Sequence, residues 1–273
     1  MIKLLRVIVA LAFVAVSAVF IEYYLTEIRT KDDTIPKIEI SGDIVEVKSK
    51  ESRKELLKGV TAYDEKDGDL TDRVIVESIS RFIEPGVCKI SYAVCDNNNH
   101  VARATRKVRY KKYTPPKFTL SRPLLFYVGE TVNLSAIVGA TDFLDGNIDN
   151  NVIVTSSDYK SGQIGTFHAE LKVTNSKGDI VFLTVPVIVE EGVIDAPVIE
   201  LEKNIIYTKY KNSFDFQKYV KSITDYDGNQ ISLSNLVIDS NVSKREGVYS
   251  VHYSVTDRKG RRGSTVLTVV VEK

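Results

Sequence analysis

Pro36-Lys37-Ile38-Glu39-Ile40 returns as Pro116-Lys117-Phe118-Thr119-Leu120, and again as Pro197-Val198-Ile199-Glu200-Leu201. The intervals are 80 and 81 residues. Each copy runs on into an Asp-Gly turn: Asp67-Gly68-Asp69, Asp145-Gly146-Asn147 and Asp227-Gly228-Asn229. Each then reaches an alternating stretch that ends in Asp96, Asn175 or Asp257. A fixed period of this size marks tandem copies of one supersecondary unit, because each copy repeats the same local contacts. The repeat divides the chain into domains at 36–113, 114–191 and 192–273.

The alternating stretch identifies the unit. Cys88, Ile90, Tyr92, Val94 and Asp96 fall on one face of an extended strand. Phe167, Ala169, Leu171, Val173 and Asn175 do the same in the second copy, and Tyr249, Val251, Tyr253, Val255 and Asp257 in the third. A strict period of two with one apolar face predicts half-buried strands. Polar turns follow (Asn97-Asn98-Asn99, Ser176-Lys177-Gly178, Arg258-Lys259-Gly260), then one more strand per copy. Short strands with frequent turn signals predict an all-β chain of three tandem immunoglobulin-like antiparallel sandwiches.

The N-terminus is of another kind. Val7 to Ile21 carries no charge, and Leu4 to Leu25 would form roughly 33 Å of helix at about 1.5 Å per residue, enough for a bilayer core. Residues 1–25 therefore read as a transmembrane signal-anchor helix, and the polar residues 26–35 as its juxtamembrane linker. Lys3 and Arg6 place the short N-terminus on the cytoplasmic side, with the repeats outside. Tyr23 and Tyr24 suit the outer interface. Val16-Ser17-Ala18 offers the alternative of a cleaved, secreted form.

Val60-Thr61-Ala62-Tyr63-Asp64, Asp67-Gly68-Asp69-Leu70-Thr71, Gly86 and Tyr92-Ala93-Val94-Cys95-Asp96 resemble the bacterial Ig-like repeats found in pesticidal crystal proteins and many surface proteins. All three copies carry the pattern, with Asn175 replacing the terminal Asp in the second and one residue missing between Asp225 and Asp227 in the third. The resemblance implies the fold and a surface location. Its members serve as spacers, adhesins or binding modules, so it implies no single activity.

Three groups of residues are candidates for chemistry. Asp64, Asp67, Asp69 and Asp96, with Asp225, Asp227 and Asp257 in the third copy, converge at one end of an Ig-type sandwich, and clustered hard oxygens suit Ca²⁺. The alternative is that these side chains bond their own turn backbones. Tyr207 and Tyr210 offer rings for stacking on a glycan or anchoring a protein partner. Arg103, Lys107, Arg109 and Lys111 form a basic stripe, to be read as an anion-binding face or as protection against edge-to-edge pairing.

Other classes find little support. The net charge of +1 provides no pull toward nucleic acid. His100, His168 and His252 lie in separate copies, without nucleophile or metal-ligand spacing. Cys88 and Cys95 are seven residues apart on one strand, too distant to pair. The expected function is non-enzymatic: a membrane-anchored surface protein for adhesion, spacing or protein contact, with an extracellular glycan-binding module as the alternative.

Overall fold

The computed structural model describes residues 2–30, 33–48, 53–209 and 214–273. The chain is mostly β, and among the described residues its strands form six sheets, two for each repeat. In the first repeat, β1 (Lys37–Ile40), β3 (Val60–Asp64) and β4 (Gly68–Asp69) make a three-stranded sheet. The facing sheet has the order β2 (Ile44–Val47), β7 (Val101–Tyr110), β6 (Val87–Cys95), β5 (Ile75–Glu84).

The second repeat copies this plan. β8 (Lys117–Leu120), β10 (Val138–Asp142) and β11 (Gly146–Asn147) oppose β9 (Leu125–Tyr127), β14 (Ile180–Glu190), β13 (Gly165–Thr174) and β12 (Val152–Ser157). In the third, β15 (Val198–Leu201) pairs with β17 (Val220–Thr224). Opposite it run β16 (Ile205–Lys209), β20 (Arg262–Glu272), β19 (Gly247–Thr256) and β18 (Val237–Ser240).

Two pairings depart from the antiparallel expectation. β9 runs parallel to β14 (Leu125 opposite Ile188), and β16 parallel to β20 (Ile205 opposite Thr268). In both repeats the chain leaves the first sheet after four residues and crosses at a polar break, Ser121-Arg122-Pro123 or Glu202-Lys203-Asn204, to close the other sheet. These strands are too short for alternation to reveal, and a crossing of this kind has no hairpin turn to announce it.

Burial follows the pleat. Ile90, Tyr92 and Val94 are buried in the first repeat, Ala169, Leu171 and Val173 in the second, and Val251, Tyr253 and Val255 in the third. Each such aliphatic side chain contributes roughly 1.5–3 kcal/mol on leaving water. Tyr92 and Tyr253 donate their hydroxyls to the Leu56 and Phe216 carbonyls, at 2.7 and 3.0 Å. Gly263, at the start of β20, is required because a side chain there would run into the Pro197 carbonyl.

The chain divides into two compact units, one of Met1–Val47, Glu51–Ile79 and Cys88–Arg109, the other of Lys48–Lys50, Ser80–Val87 and Tyr110–Lys273. Within the second unit, the third repeat lays the outer face of its four-stranded sheet on the second repeat. Ile205 and Val270 belong to the same apolar cluster as Phe118, Leu120 and Leu124, with Tyr207 and Val248 packed against it. Polar contacts border it: Asn204 Nδ2 donates to the Leu120 carbonyl (3.1 Å), and Lys117 Nζ pairs with Glu272 (2.9 Å).

The N-terminal helix α1 (Ile2–Thr30) runs beyond the expected span into the residues read as linker. Leu4–Glu27 is long and apolar enough to cross a membrane, a property that a signal sequence near an N-terminus shares. None of that stretch is buried.

One buried residue was not foreseen. Arg106, adjacent in sequence to the basic stripe, points into the first sandwich at the place where the other repeats have Val185 and Leu267. Its guanidinium donates to Tyr92 Oη (2.8 Å) and to the Leu56 (2.9 Å) and Lys58 (2.8 Å) carbonyls. Removing it leaves a cavity and a buried carbonyl without a donor, each worth roughly 1–3 kcal/mol. Arg106→Ala should therefore lower stability in denaturant unfolding by about 2–4 kcal/mol, and Tyr92→Phe by about 1 kcal/mol. Their combined loss should fall short of the sum, because the two side chains share a bond.

Candidate functional site

The acidic turns gather at one end of each sandwich, built around the residue that ends the long central strand. Asp96 Oδ1 accepts the N–H groups of Asn98 and His100, both at 2.8 Å. Asn175 Oδ1 accepts those of Lys177 (3.0 Å) and Asp179 (2.9 Å), and Asp257 Oδ1 those of Lys259 (2.8 Å) and Arg261 (2.9 Å). One oxygen thus organises the whole following turn, two and four residues on. The tight turn needs a left-handed residue, supplied by Asn99 (φ 69°), Gly178 (φ 80°) and Gly260 (φ 80°).

The second atom of each cup reaches the side chain four residues later. Asp96 Oδ2 lies 2.7 Å from His100 Nδ1, and Asp257 Oδ2 accepts Arg261 Nε at 2.7 Å. In the second repeat the amide donates instead, from Asn175 Nδ2 to Asp142 Oδ2 (3.1 Å) and to Tyr113 Oη (3.0 Å). Tyr113 in turn donates to Asp179 Oδ2 at 2.5 Å, with Phe82 and Phe143 edge-on to its ring. Burial first, then the neighbouring Asp179 carboxylate, pushes its phenol well above the usual range.

The Asp-Gly turn is closed in the same manner. Asp64 Oδ1 accepts Lys66 N (2.9 Å) and Asp67 N (3.1 Å), and Asp142 Oδ1 accepts Leu144 N (2.8 Å) and Asp145 N (3.0 Å). Asp67 then spans to the neighbouring turn, taking Asn97 N and Nδ2 at 2.7 Å each, as Asp145 takes Ser176 N and Oγ. Asp69 accepts Thr71 N at 2.9 Å. In the third repeat, one residue shorter, Asp225 turns to Asn229 N (2.8 Å), and Asp227 meets Lys259 Nζ at 3.4 Å.

These contacts account for the carboxylates expected to hold Ca²⁺. Asp64, Asp67 and Asp96 do converge, as do Asp225, Asp227 and Asp257, but their oxygens are directed at N–H and ammonium donors rather than at a common point. Among the described residues no group of three or more His, Cys, Asp or Glu is placed to hold a metal ion.

Of the two tyrosines expected to offer rings, the structure describes one. Tyr207 is half-buried at the joint with the second repeat, its hydroxyl accepting the Phe118 N–H at 2.8 Å and Lys117 Nζ lying 4.6 Å from its ring centre. Its position on the outer row with Val270, which the second repeat covers, is the reason. Tyr210 lies outside the described residues. His252 Nε2 is 2.6 Å from Glu190 Oε1, and Ser264 Oγ donates to Glu190 Oε2 at 2.6 Å. Foremost the His252 ring, working against burial, keeps the Glu190 carboxyl below its usual range. The His100 ring is held by Asp96 and the His252 ring by Glu190, each within its own surroundings.

Two predictions follow from the cups. In Asp96 and Asp257, burial opposes the charge but is outweighed by the donors from His100 and Asn98, and from Arg261 and Lys259; the net effect holds both carboxyls below the usual range. A depressed folded value stabilises the protein above the unfolded value, near about 3.9, and this stability is lost as pH falls through the folded values. Unfolding temperature should thus drop on acidification below about pH 4, and less steeply in Asp96→Asn, which imitates the second repeat. In a separate scan at neutral pH, millimolar Ca²⁺ and chelator should give the same unfolding temperature; a rise with Ca²⁺ that Asp67→Ala abolishes would restore the metal reading.

No protein-family model matches the chain. It is 30% identical over 137 residues to an uncharacterized 81.3 kDa protein of Acholeplasma phage L2, covering 48% of this chain and 18% of that protein. It is 29% identical over 150 residues to the pesticidal crystal protein Cry22Aa of Bacillus thuringiensis, covering 53% of this chain and 20% of that one. The chain therefore spans about a fifth of the length of these relatives. Among solved structures, Drosophila N-cadherin EC1-3 aligns over 89% of this chain and 90% of its own, at 13% identity and a TM-score of 0.31. The Cry22Aa similarity agrees with the resemblance read from the repeats and reaches no further than a β-sandwich relationship.

Proposed function

We propose that this is a membrane-anchored, non-enzymatic surface protein that holds three Ig-like domains (36–113, 114–191 and 192–273) outside the membrane for spacing, adhesion or protein contact. The observation that carries the reading is the exposed apolar helix. None of Leu4–Glu27 is buried, and covering that much apolar surface with a bilayer is strongly favourable. The polar groups that chemistry would use are consumed by the turns, which supports a non-catalytic role. A glycan-binding role loses the ring of Tyr207, which lies in the joint.

The test is expression of the full chain followed by alkaline carbonate washing of membranes and protease treatment of intact cells. The expected result is retention in the washed membrane with the repeats digested from outside. A shortened chain in the soluble or medium fraction would overturn the anchor and leave a secreted protein cut after its leader.

A further inference from the structure

We propose that the third repeat carries a binding site for an uncharged carbohydrate, in a cavity beside its Asp257 turn. The surface reading above places this repeat outside the membrane, and the proposal rests on it for that location alone. The cavity encloses about 430 Å³, within the span of roughly 300–1,000 Å³ usual for small-molecule sites. Asp225, Gln230, Asn235, Thr256 and Arg258 line it, with Ile231 as the apolar residue among them. Gln230, Asn235, Thr256 and Arg258 are exposed, so a ligand can enter from solvent.

Two changes of loop length open this space. In the first and second repeats a short 3₁₀ turn, Thr71–Arg73 or Asp149–Asn151, follows a buried Leu70 or Ile148 directly. Its last side chain bridges to the end of the central strand or the turn after it. Arg73 Nη1 donates to Asn97 Oδ1 (2.8 Å), and Asn151 Nδ2 to the Thr174 carbonyl (2.9 Å). The third repeat inserts Ser232 ahead of its own turn, Leu233–Asn235. Among the described residues, Asn235 Nδ2 makes no bond to Thr256, the counterpart of Thr174. The same repeat lacks a residue between Asp225 and Asp227, and Asp227 meets Lys259 Nζ rather than the backbone N–H that Asp67 and Asp145 accept. The Arg258 N–H, equivalent to those of Asn97 and Ser176, is left without an acceptor among the described residues. Asp257 still closes its own turn through Lys259 and Arg261, so the cup is kept while the wall beside it stands open.

The open groups define the ligand. The Gln230 and Asn235 amides each present a donor beside an acceptor, Thr256 presents a hydroxyl and Arg258 an N–H. Two adjacent hydroxyls on a sugar match a carboxamide, giving one bond and taking one. Asp257 is paired to Arg261 at 2.7 Å, which leaves Asp225 and Arg258, whose charges cancel. An ion therefore gains no net attraction here, and an apolar molecule would strand the polar wall. An uncharged polyol satisfies it. Asp225 remains an ionised acceptor, its carboxyl held below the usual range chiefly by the Asn229 amide. Tyr226 follows it in the chain, 63% exposed, with the Arg261 guanidinium 6.0 Å from its ring centre. A ring so exposed can take the C–H face of a sugar.

The full chain, purified in detergent, is applied to an array of uncharged oligosaccharides with sialylated and sulfated ones beside them. Uncharged glycans should be retained, and the strongest is then titrated by calorimetry. Gln230→Ala/Asn235→Ala removes two amides that bond no backbone. It should weaken that glycan roughly tenfold, the worth of two neutral hydrogen bonds, at an unchanged unfolding temperature. If the pair destabilises the repeat, Gln230→Ala alone gives the same test at roughly threefold. Retention of no uncharged glycan overturns the proposal, as does binding that these variants leave intact. Retention of charged glycans alone, lost in Arg258→Ala, would make the cavity an anion site and overturn it too. The array does not depend on the anchor: a chain that binds glycans but washes free of membranes fails the anchor reading and leaves this site standing.

Discussion

Everything at the acidic end of these sandwiches depends on one constraint. The strand that carries the core must end in a sharp turn, and the backbone N–H groups of that turn need acceptors. Asp96, Asn175 and Asp257 provide them with a single side-chain oxygen bonded two and four residues ahead. The oxygen is common to Asp and Asn, so the second repeat's substitution leaves the turn intact. What changes is the other atom, a carboxylate oxygen that accepts or an amide nitrogen that donates. That choice decides what each repeat binds beside its turn.

The second repeat shows the consequence. Because Asn175 donates, it can meet the carboxylate of Asp142 without bringing two negative charges together, and it can support Tyr113 from the preceding segment. The other repeats tie their entry segments by different means. Thr34 Oγ1 donates to Asp64 at 3.1 Å, and Asp195 lies 3.7 Å from Arg261. In all three, the end that closes the turns also fastens the chain that enters the sandwich, so turn chemistry and domain attachment are one structure.

The fold was legible because period-two burial and the repeat leave strong marks. Tyr92, Leu171 and Tyr253 occupy equivalent buried positions, as alternation required. The short crossing strands β2, β9 and β16 were not legible, since three to five residues carry too little pattern and their partners are far away in sequence. Arg106 was not legible for a different reason. Strand parity put it on the inner face, but a charge at a core position reads as solvent-facing unless its acceptors are known, and these lie about 50 residues earlier at Leu56 and Lys58. Convergence of the aspartates was foreseen; that their oxygens are taken up by N–H donors depends on loop geometry that spacing does not encode. The packing over Tyr207 was not legible, because aromatic content says nothing about which repeat covers which face.

The three repeats keep the core and the turns while varying one surface, and that contrast locates where function was free to diverge. The outer face of the four-stranded sheet is basic on β7 of the first repeat. On the second it is open and apolar, with Ile153 and Phe182 exposed and Lys172 Nζ 5.9 Å from the Phe182 ring. On the third it is buried beneath a neighbour. A face that only needed to be soluble would show mixed charge in all three copies. Inward residues are held to apolar types by packing and turn residues by hydrogen bonding, so neither could specialise without loss of the fold. The outward positions of β7, β14 and β20 had no such restraint, and there the three copies differ in character.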